Sequence, residues 1–453
     1  MELGIFIVKK EMHLKNSAIF EPGRKVPIVA ESEVIVIGAG PAGFAAALAA
    51  KRAGASTILI EKGTFFGGTL TQATLGNFCG LFSVTDSDII PVVQGIAMEL
   101  IDRLVTSNYA CEPHRLLKTA TVSFDVTGLK FVMDDMVTES GLTPILDAMV
   151  VGVTVVDDGR IDGVFIETKS GRGYVKGDIF IDASGDADVA SFAGLDLDFD
   201  PNNLQASSSM FEFHGVDTRC VTTMASEDIE RYLVEAVTSG RYKLPRLAGG
   251  IHVTPRPGKV HCNITKVSID GRPLNPLDLF ESTRGEIDGR RQVREYERFF
   301  RDCVPGFKDA YVGALGTLLG VRESRRLKSD YILTADDLFS CCRFEDAIAA
   351  SAWPVEMHGK GPKAEWVWIE PGNYYQIPYR STLSSRCPNL FVVGRCMSAT
   401  HEAHASLRVS GPCFAIGQAA GTAAAIASSF KLSVADVPIR HLQSLLREQG
   451  AFF

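Results

Sequence analysis

The stretch Val34-Ile35-Val36-Ile37-Gly38-Ala39-Gly40-Pro41-Ala42-Gly43, followed by an alanine-rich run to Gly54 and closed by Thr57-Ile58-Leu59-Ile60-Glu61, decides the fold. It predicts strand, glycine turn, helix and strand, ending in an acid. In a dinucleotide-binding βαβ unit each part has a physical task. Gly38 allows the tight turn off the strand, Gly40 lets the backbone approach a pyrophosphate, and Gly43 lets the helix pack near the sheet. The helix N-terminus offers free N–H groups to phosphate charge. Glu61 stands twenty-one residues past Gly40, where a carboxylate can hydrogen-bond a ribose hydroxyl.

The rest of the chain bounds what surrounds this site. Its 453 residues suffice for two or three domains, or for one large domain with an insertion. An apolar fraction of 46% and a charged fraction of 22% are those of a soluble globular protein. A net charge of −8, with Lys and Arg scattered, argues against nucleic-acid binding and against a basic membrane-binding face. The ten cysteines form no C-x-x-C pair and no Cys/His cluster of zinc spacing, so no metal is expected. Met1 to Phe6 is only briefly apolar and lacks a basic n-region, and no run of 18 apolar residues exists. These features predict a cytoplasmic enzyme with reduced thiols and no membrane insertion.

Along the chain, residues 1–32 form an extended leader, with Pro22 and Pro27 excluding a continuous helix. Lys62 to Leu70 is a glycine-broken loop suited to run beside a cofactor. Helices are expected over 89–105 and 125–140, then an antiparallel meander over 143–156, 161–169 and 174–182. Between 200 and 385, strands are expected at 205–213, 251–254, 259–267 and 365–370, and helices near 226–238, 276–303 and 308–320. The aromatic segment from Trp366 to Arg380 suits either a core or the wall of a flat ligand. From Leu390 the opening pattern returns: a buried strand ending at Gly394, then a helix from about 407–411 to 429.

Three separated strand-then-glycine units (34–43, 179–188 and 390–422) therefore exist. Together with Gly67-Gly68-Thr69, Ile181 to Asp186, Gly320 to Arg326, and Gly394 to His401, they resemble the bacterial FAD-dependent oxidoreductase family, relatives of the fumarate-reductase flavoproteins. That resemblance implies an α/β protein: a Rossmann-like FAD domain of glutathione-reductase type from 27–200 and 386–450, with an inserted α+β cap at 201–385. It implies that Gly38, Ala39, Gly40, Pro41, Ala42 and Gly43 hold the pyrophosphate, and that Glu61, with Lys62 beside it, serves the adenosine ribose. Gly67, Gly68 and Thr69 would line the ribityl chain, Val153 would meet the adenine, and Ser184, Gly185 and Asp186 would close the nucleotide side. Gly394, Arg395 and Val409 would approach from the opposite strand, with the helix after Arg408 aimed at the flavin.

For catalysis the candidates are Arg322, His358, His404, Arg408 and Tyr375, with His401, Glu402, Tyr374, Arg380 and Cys79 as neighbours of interest. The run Arg322 to Arg326 suits either a surface salt-bridge helix or an arginine that clamps a carboxylate. A dehydrogenase acting on a small molecule beside a carbonyl or carboxylate is the resulting expectation, with an electron acceptor not identifiable from sequence. An electron-transfer flavoprotein or NAD(P)H-linked reductase is the alternative, and a homo-oligomeric assembly is left open.

Overall fold

The computed structural model describes residues 21–453, so most of the expected leader lies outside the described residues, and its last part, from Ile28, is already strand. β1 (Ile28–Ile37), α1 (Pro41–Arg52) and β2 (Thr57–Ile60) follow the opening stretch. The helix expected over 89–105 is Ile96–Thr106 instead, because Ile89–Pro91 pairs with Phe82–Val84 and Gly95 turns at φ 65°. α2 (Val126–Ser140) is capped by Asp125, which accepts from the Gly128 N–H at 3.2 Å, and stops at a left-handed Gly141. The segment expected over 143–156 is split: β3 (Thr143–Ile145) pairs parallel with β2, and β4 (Met149–Val155), β5 (Ile161–Thr168) and β6 (Gly171–Asp182) form the antiparallel meander. Then come β7 (Phe211–His214), α3 (Ser226–Thr238), β8 (Gly250–Val253), β9 (Val260–Asn263), α4 (Leu279–Cys303) and β10 (Tyr311–Leu315). The hairpin β11 (Val355–Met357) and β12 (Glu365–Val367) leads to β13 (Leu390–Val392), α5 (His401–Leu407) and α6 (Ser410–Phe430).

The main sheet has the order β3-β2-β1-β6-β5-β4, and β13 joins it beside β6. β1, β2, β3, β6 and β13 run parallel, while β5 pairs antiparallel with both its neighbours. β1 alternates between two cores, as a strand buried on both faces must. Val34 and Val36 pack with α1 and α6, while Ile35 and Ile37 pack with Ile58, Ile60 and Phe180 on the other side. Each such side chain contributes about 1.5–3 kcal/mol by leaving water. α6 is long and apolar enough to cross a bilayer, yet it is almost wholly buried within the fold.

The second sheet, β8-β9-β7-β10, is antiparallel. β10 corrects the helix expected over 308–320: the chain there is an edge strand paired with β7, with Gly313 unpaired at a register shift and Gly316 just past its end, two glycines that disfavour a helix. One face of this sheet, with Phe211, Phe213, Val260 and Cys262, packs on α3 and α4. Cross-strand register puts His252, His261 and Glu212 side by side on the opposite face, with Asn263 two residues along.

Three buried histidines make the fold acid-sensitive. Burial holds His252 at about 4, and His261 and His404 at about 3, against an ordinary 6.5, so all three are neutral in the folded protein. The unfolded chain binds their protons below pH 6.5 and the folded chain does not. Their contribution to stability is therefore complete above that value and falls as the pH drops towards the folded values. Thermal unfolding should show a midpoint that falls steeply between pH 7 and 5. A flat profile there would contradict neutral burial.

Candidate active site

Ile60, Ile37, Asp182 and Val392 form one register row, so four parallel strands end at the same edge of the sheet. A cleft of about 1080 Å³ opens there, the place where open α/β sheets bind ligands. Gly40 caps α1, with Pro41 in its first turn. Gly68, at φ +52°, leaves no room for a side chain: a Cβ there would stand 2.8 Å from Gly40 Cα. The two glycine loops thus touch backbone to backbone and leave a bare groove.

Glu61 is buried behind this groove and ties it together. Its carboxylate accepts from the N–H groups of Ala39 and Gly63, both at 2.7 Å, and from Gln72 Nε2 at 3.0 Å. Gly63 and Gln72 together occupy Oε1, while Oε2, bonded only to Ala39, keeps a further lone pair for a hydroxyl. Across the groove Arg395 Nη2 donates to Asp186 at 2.9 Å, and Lys62 Nζ lies 3.8 Å from the same carboxylate. Burial favours the neutral acid at Asp186, but Arg395 and Lys62 outweigh it and hold the carboxyl below its usual range. Ser184 is fixed by Asp182 at 2.6 Å, while Gly394, Val409 and Thr69 complete the lining. A bare glycine groove, a helix N-terminus and two flanking cations fit a dinucleotide pyrophosphate, with Glu61 at the ribose.

Beyond the groove lies an inner chamber that local sequence scarcely announces. Arg322, buried at 7% exposure, donates from Nη1 to Ala206 O at 2.6 Å and Ser208 Oγ at 2.9 Å, and from Nη2 to Asn263 Oδ1 at 3.3 Å. Arg246, equally buried, donates to Asn263 O at 3.1 Å. Arg408 reaches Gln205 Oε1 at 3.3 Å. Among the described residues Arg246 Nε, Arg408 Nε and Gln205 Nε2 are buried without a hydrogen-bond partner. Burial, then the charges of Arg246 and Arg408, pull Arg322 well below the ordinary arginine value, with Glu356 opposing. A guanidinium does not surrender its proton in a protein, so this tension marks positive charge in want of an anion.

Glu356 is the acid in that wall. Burial raises it, but His358, Arg408 and Arg322 hold it at about 2, hence ionised. His358 Nε2 lies 2.8 Å from Glu356 Oε1. Burial, then Arg322, keeps this imidazole well below its usual value, so it is neutral and must be the donor to the carboxylate. That assigns the proton to Nε2 and leaves Nδ1 as a lone pair, a base held in orientation.

Other expected residues fall elsewhere. Tyr375 is fully buried with its hydroxyl 2.7 Å from Ser406 Oγ, because its strand turns it into the α6 core. Tyr374 meets Phe452 edge-on and lies under the Arg343 guanidinium, and Arg380 pairs with Asp346 beside Tyr331. His404 is sealed behind the site, with Nε2 2.8 Å from the carbonyl of Arg395, so it braces that residue and does not line the cleft. His401 turns to Glu323 at 2.8 Å. The charge run is not a surface helix: Glu323 ties to Arg326 and to Gln205 N, Arg325 ties to Asp188 and Ser191, and only Arg322 enters the cleft. Val153, expected to meet the adenine, does not line the cleft; Ala148, Met149 and Val150 do, where Ala148 N donates to Glu61 O. Three further residues of strand carry Val153 about 10 Å onward. Cys79 lines the cleft as a protonated thiol, pushed up to about 12 by burial.

Sequence reasoning missed Arg246, Asn263, Gln205 and Glu356. Only Glu356 had a local signal, since i, i+2 spacing on a strand puts it on one face with His358.

The architecture is that of a nucleotide-binding α/β enzyme. Residues 33–446 match the family described as FAD dependent oxidoreductase, and the chain belongs to it. It is therefore an oxidoreductase with FAD as cofactor. Digeranylgeranylglycerophospholipid reductase 2 of Methanopyrus kandleri is 28% identical over 217 residues, 46% of this chain and 49% of that protein. The chain's match thus spans about half the length of that relative. A geranylgeranyl bacteriochlorophyll reductase-like structure from Thermoplasma acidophilum aligns with a TM-score of 0.48 at 15% identity, over 93% of this chain and 84% of that one. The p-nitrophenol 4-monooxygenase PnpA from Pseudomonas putida DLL-E4 aligns at 0.46 and 11%, over 90% and 83%.

Proposed function

We propose that this FAD-dependent oxidoreductase is a dehydrogenase of a small organic acid, acting at CH–CH or CH–OH beside the carboxylate or carbonyl. The observation that supports it is the inner chamber, where Arg246, Arg322 and Arg408 outnumber the carboxylates that act on them, Glu356 and, at Arg408, Glu323. An anionic substrate balances that charge and supplies acceptors to the unpartnered N–H groups, whose burial otherwise costs about 1–3 kcal/mol each.

In this reading residues 27–200 and 386–450 form a glutathione-reductase-type FAD domain and 201–385 the cap that binds substrate. Ala39 to Gly43, with Lys62 and Arg395, hold the pyrophosphate; Glu61 takes the ribose; Gly67, Gly68, Thr69 and Val409 border the flavin end. FAD, when bound, supplies the two-electron acceptor. The three arginines fix the acid and exclude water. His358, held by Glu356, takes the companion proton at Nδ1, and a substrate anion that screens Arg322 raises its basicity towards the working range. Ten free cysteines suit a reducing cytoplasm.

The test is anaerobic bleaching of the flavin by a panel of carboxylic acids, set against their amides and esters. Acids should bleach it and neutral analogues should not. Bleaching by NADH alone, with every acid inert, would replace this reading with an NAD(P)H-linked reductase.

A further inference from the structure

We infer that the acid this site accepts is a flat, π-bonded one, held by its ring on a tryptophan platform. The inference rests on the acid-dehydrogenase reading above and narrows it.

The protein has three tryptophans, Trp353, Trp366 and Trp368, and all three line the one cleft. None belongs to the four apolar cores. In the β11–β12 hairpin Trp366 is the cross-strand partner of Glu356. Directly opposed residues share a face with Cβ atoms about 4.5–5.5 Å apart. Trp366 therefore stands beside the carboxylate that faces Arg322 and Arg408. Trp368, two residues on, stacks on Trp366 with ring centroids 5.2 Å apart and planes at 7°. Trp353 meets Trp366 edge-on at 6.0 Å. Trp353 is 3% exposed, and its Nε1 is a buried donor without a partner among the described residues.

An aliphatic acid would satisfy the arginines and leave this wall unused. Trp366 and Trp368 are half-buried indoles that line the cleft and belong to no core, so a π-face can stack on the pair while its acid reaches the guanidinium groups. Selectivity thus comes from two neighbouring surfaces: charge from the segments before β8 and after β10 and from the turn before α6, and stacking from the hairpin.

The experiment titrates the FAD-loaded enzyme with benzoate, cyclohexanecarboxylate and benzamide, following tryptophan quenching and the flavin spectrum. Benzoate should bind at least tenfold more tightly than cyclohexanecarboxylate. W366L and W368L should abolish that preference, leave the alicyclic acid unchanged and retain FAD at the wild-type ratio. Equal affinity for the two acids overturns the ring inference and leaves the acid reading standing. Binding of benzamide as tightly as benzoate overturns the acid reading and leaves the platform standing. Loss of FAD from W366L assigns the indoles to the cofactor and overturns the inference, and binding of none of the three overturns both.

Discussion

Gly421→Val should yield no folded, FAD-containing protein, the largest stability effect expected in this chain. α1 and α6 cross without side chains between them. A Cβ on Gly417 would lie 2.0 Å from Ala42 O, and one on Gly421 would lie 2.1 Å from Ala46 O. Both pairs are spaced four residues apart, so each helix offers one small-residue face, and the obstructing atoms are backbone that cannot rotate away. Overpacking a core costs about 1–3 kcal/mol and more when backbone must move. Even Gly421→Ala should therefore cost about 3 kcal/mol, a large part of a typical stability. Gly417→Ala acts nearer the groove, because Ala42 lines the cleft, and should lower the flavin-to-protein absorbance ratio as well as the unfolding midpoint. Gly359→Ala, with nothing within 4 Å of its Cβ, is the control and should be silent. A Gly421→Val protein of normal midpoint and flavin content would refute this close approach.

What was legible in the sequence follows the range of the forces involved. Val34 to Glu61 could be read because turn, helix start and strand lie within thirty residues and depend on local backbone chemistry. The returns at 179–188 and 390–422 were legible for the same reason, and β6 and β13 stand side by side in the sheet. Arg322 and His358 were marked out, and both line the cleft. Arg246 was not, because its role comes from Asn263 and from Arg322, seventy-six positions away, and nothing around Pro245 signals it. Tyr375 was misplaced because aromatic composition carries no direction: the segment that buries Tyr375 in the core presents Trp366 and Trp368 to the cleft. His404 was misplaced because nearness in sequence to a cofactor-facing helix does not fix which side of α5 faces the ligand. The 308–320 stretch was misassigned because its pairing partner, β7, lies a hundred residues earlier.

Arg322→Gln should lower kcat/KM by about two to three orders of magnitude while leaving FAD content unchanged. Truncating one partner of a buried, charge-assisted pair costs about 2–5 kcal/mol, and each 1.4 kcal/mol is tenfold. Before substrate arrives the balance differs, because Arg322 is pressed by burial and by two like charges. Removing its charge relieves that repulsion, and a glutamine amide can still donate to Ala206 O or Ser208 Oγ, so the unfolding midpoint should hold within a few degrees. Arg322→Lys should not rescue turnover: a point charge on a flexible stem cannot serve Ala206 O, Ser208 Oγ, Asn263 and an acid with one fixed fork. The pH profile supplies a readout that simple loss of structure would not move. Burial, then Arg322, depresses His358, so removing that charge favours imidazolium and raises its pKa. The base is then protonated at higher pH, and the acid limb of kcat should shift upward in Arg322→Gln. A limb that stays in place, with kcat/KM reduced, would separate Arg322 from the His358–Glu356 pair and leave it a binding residue alone.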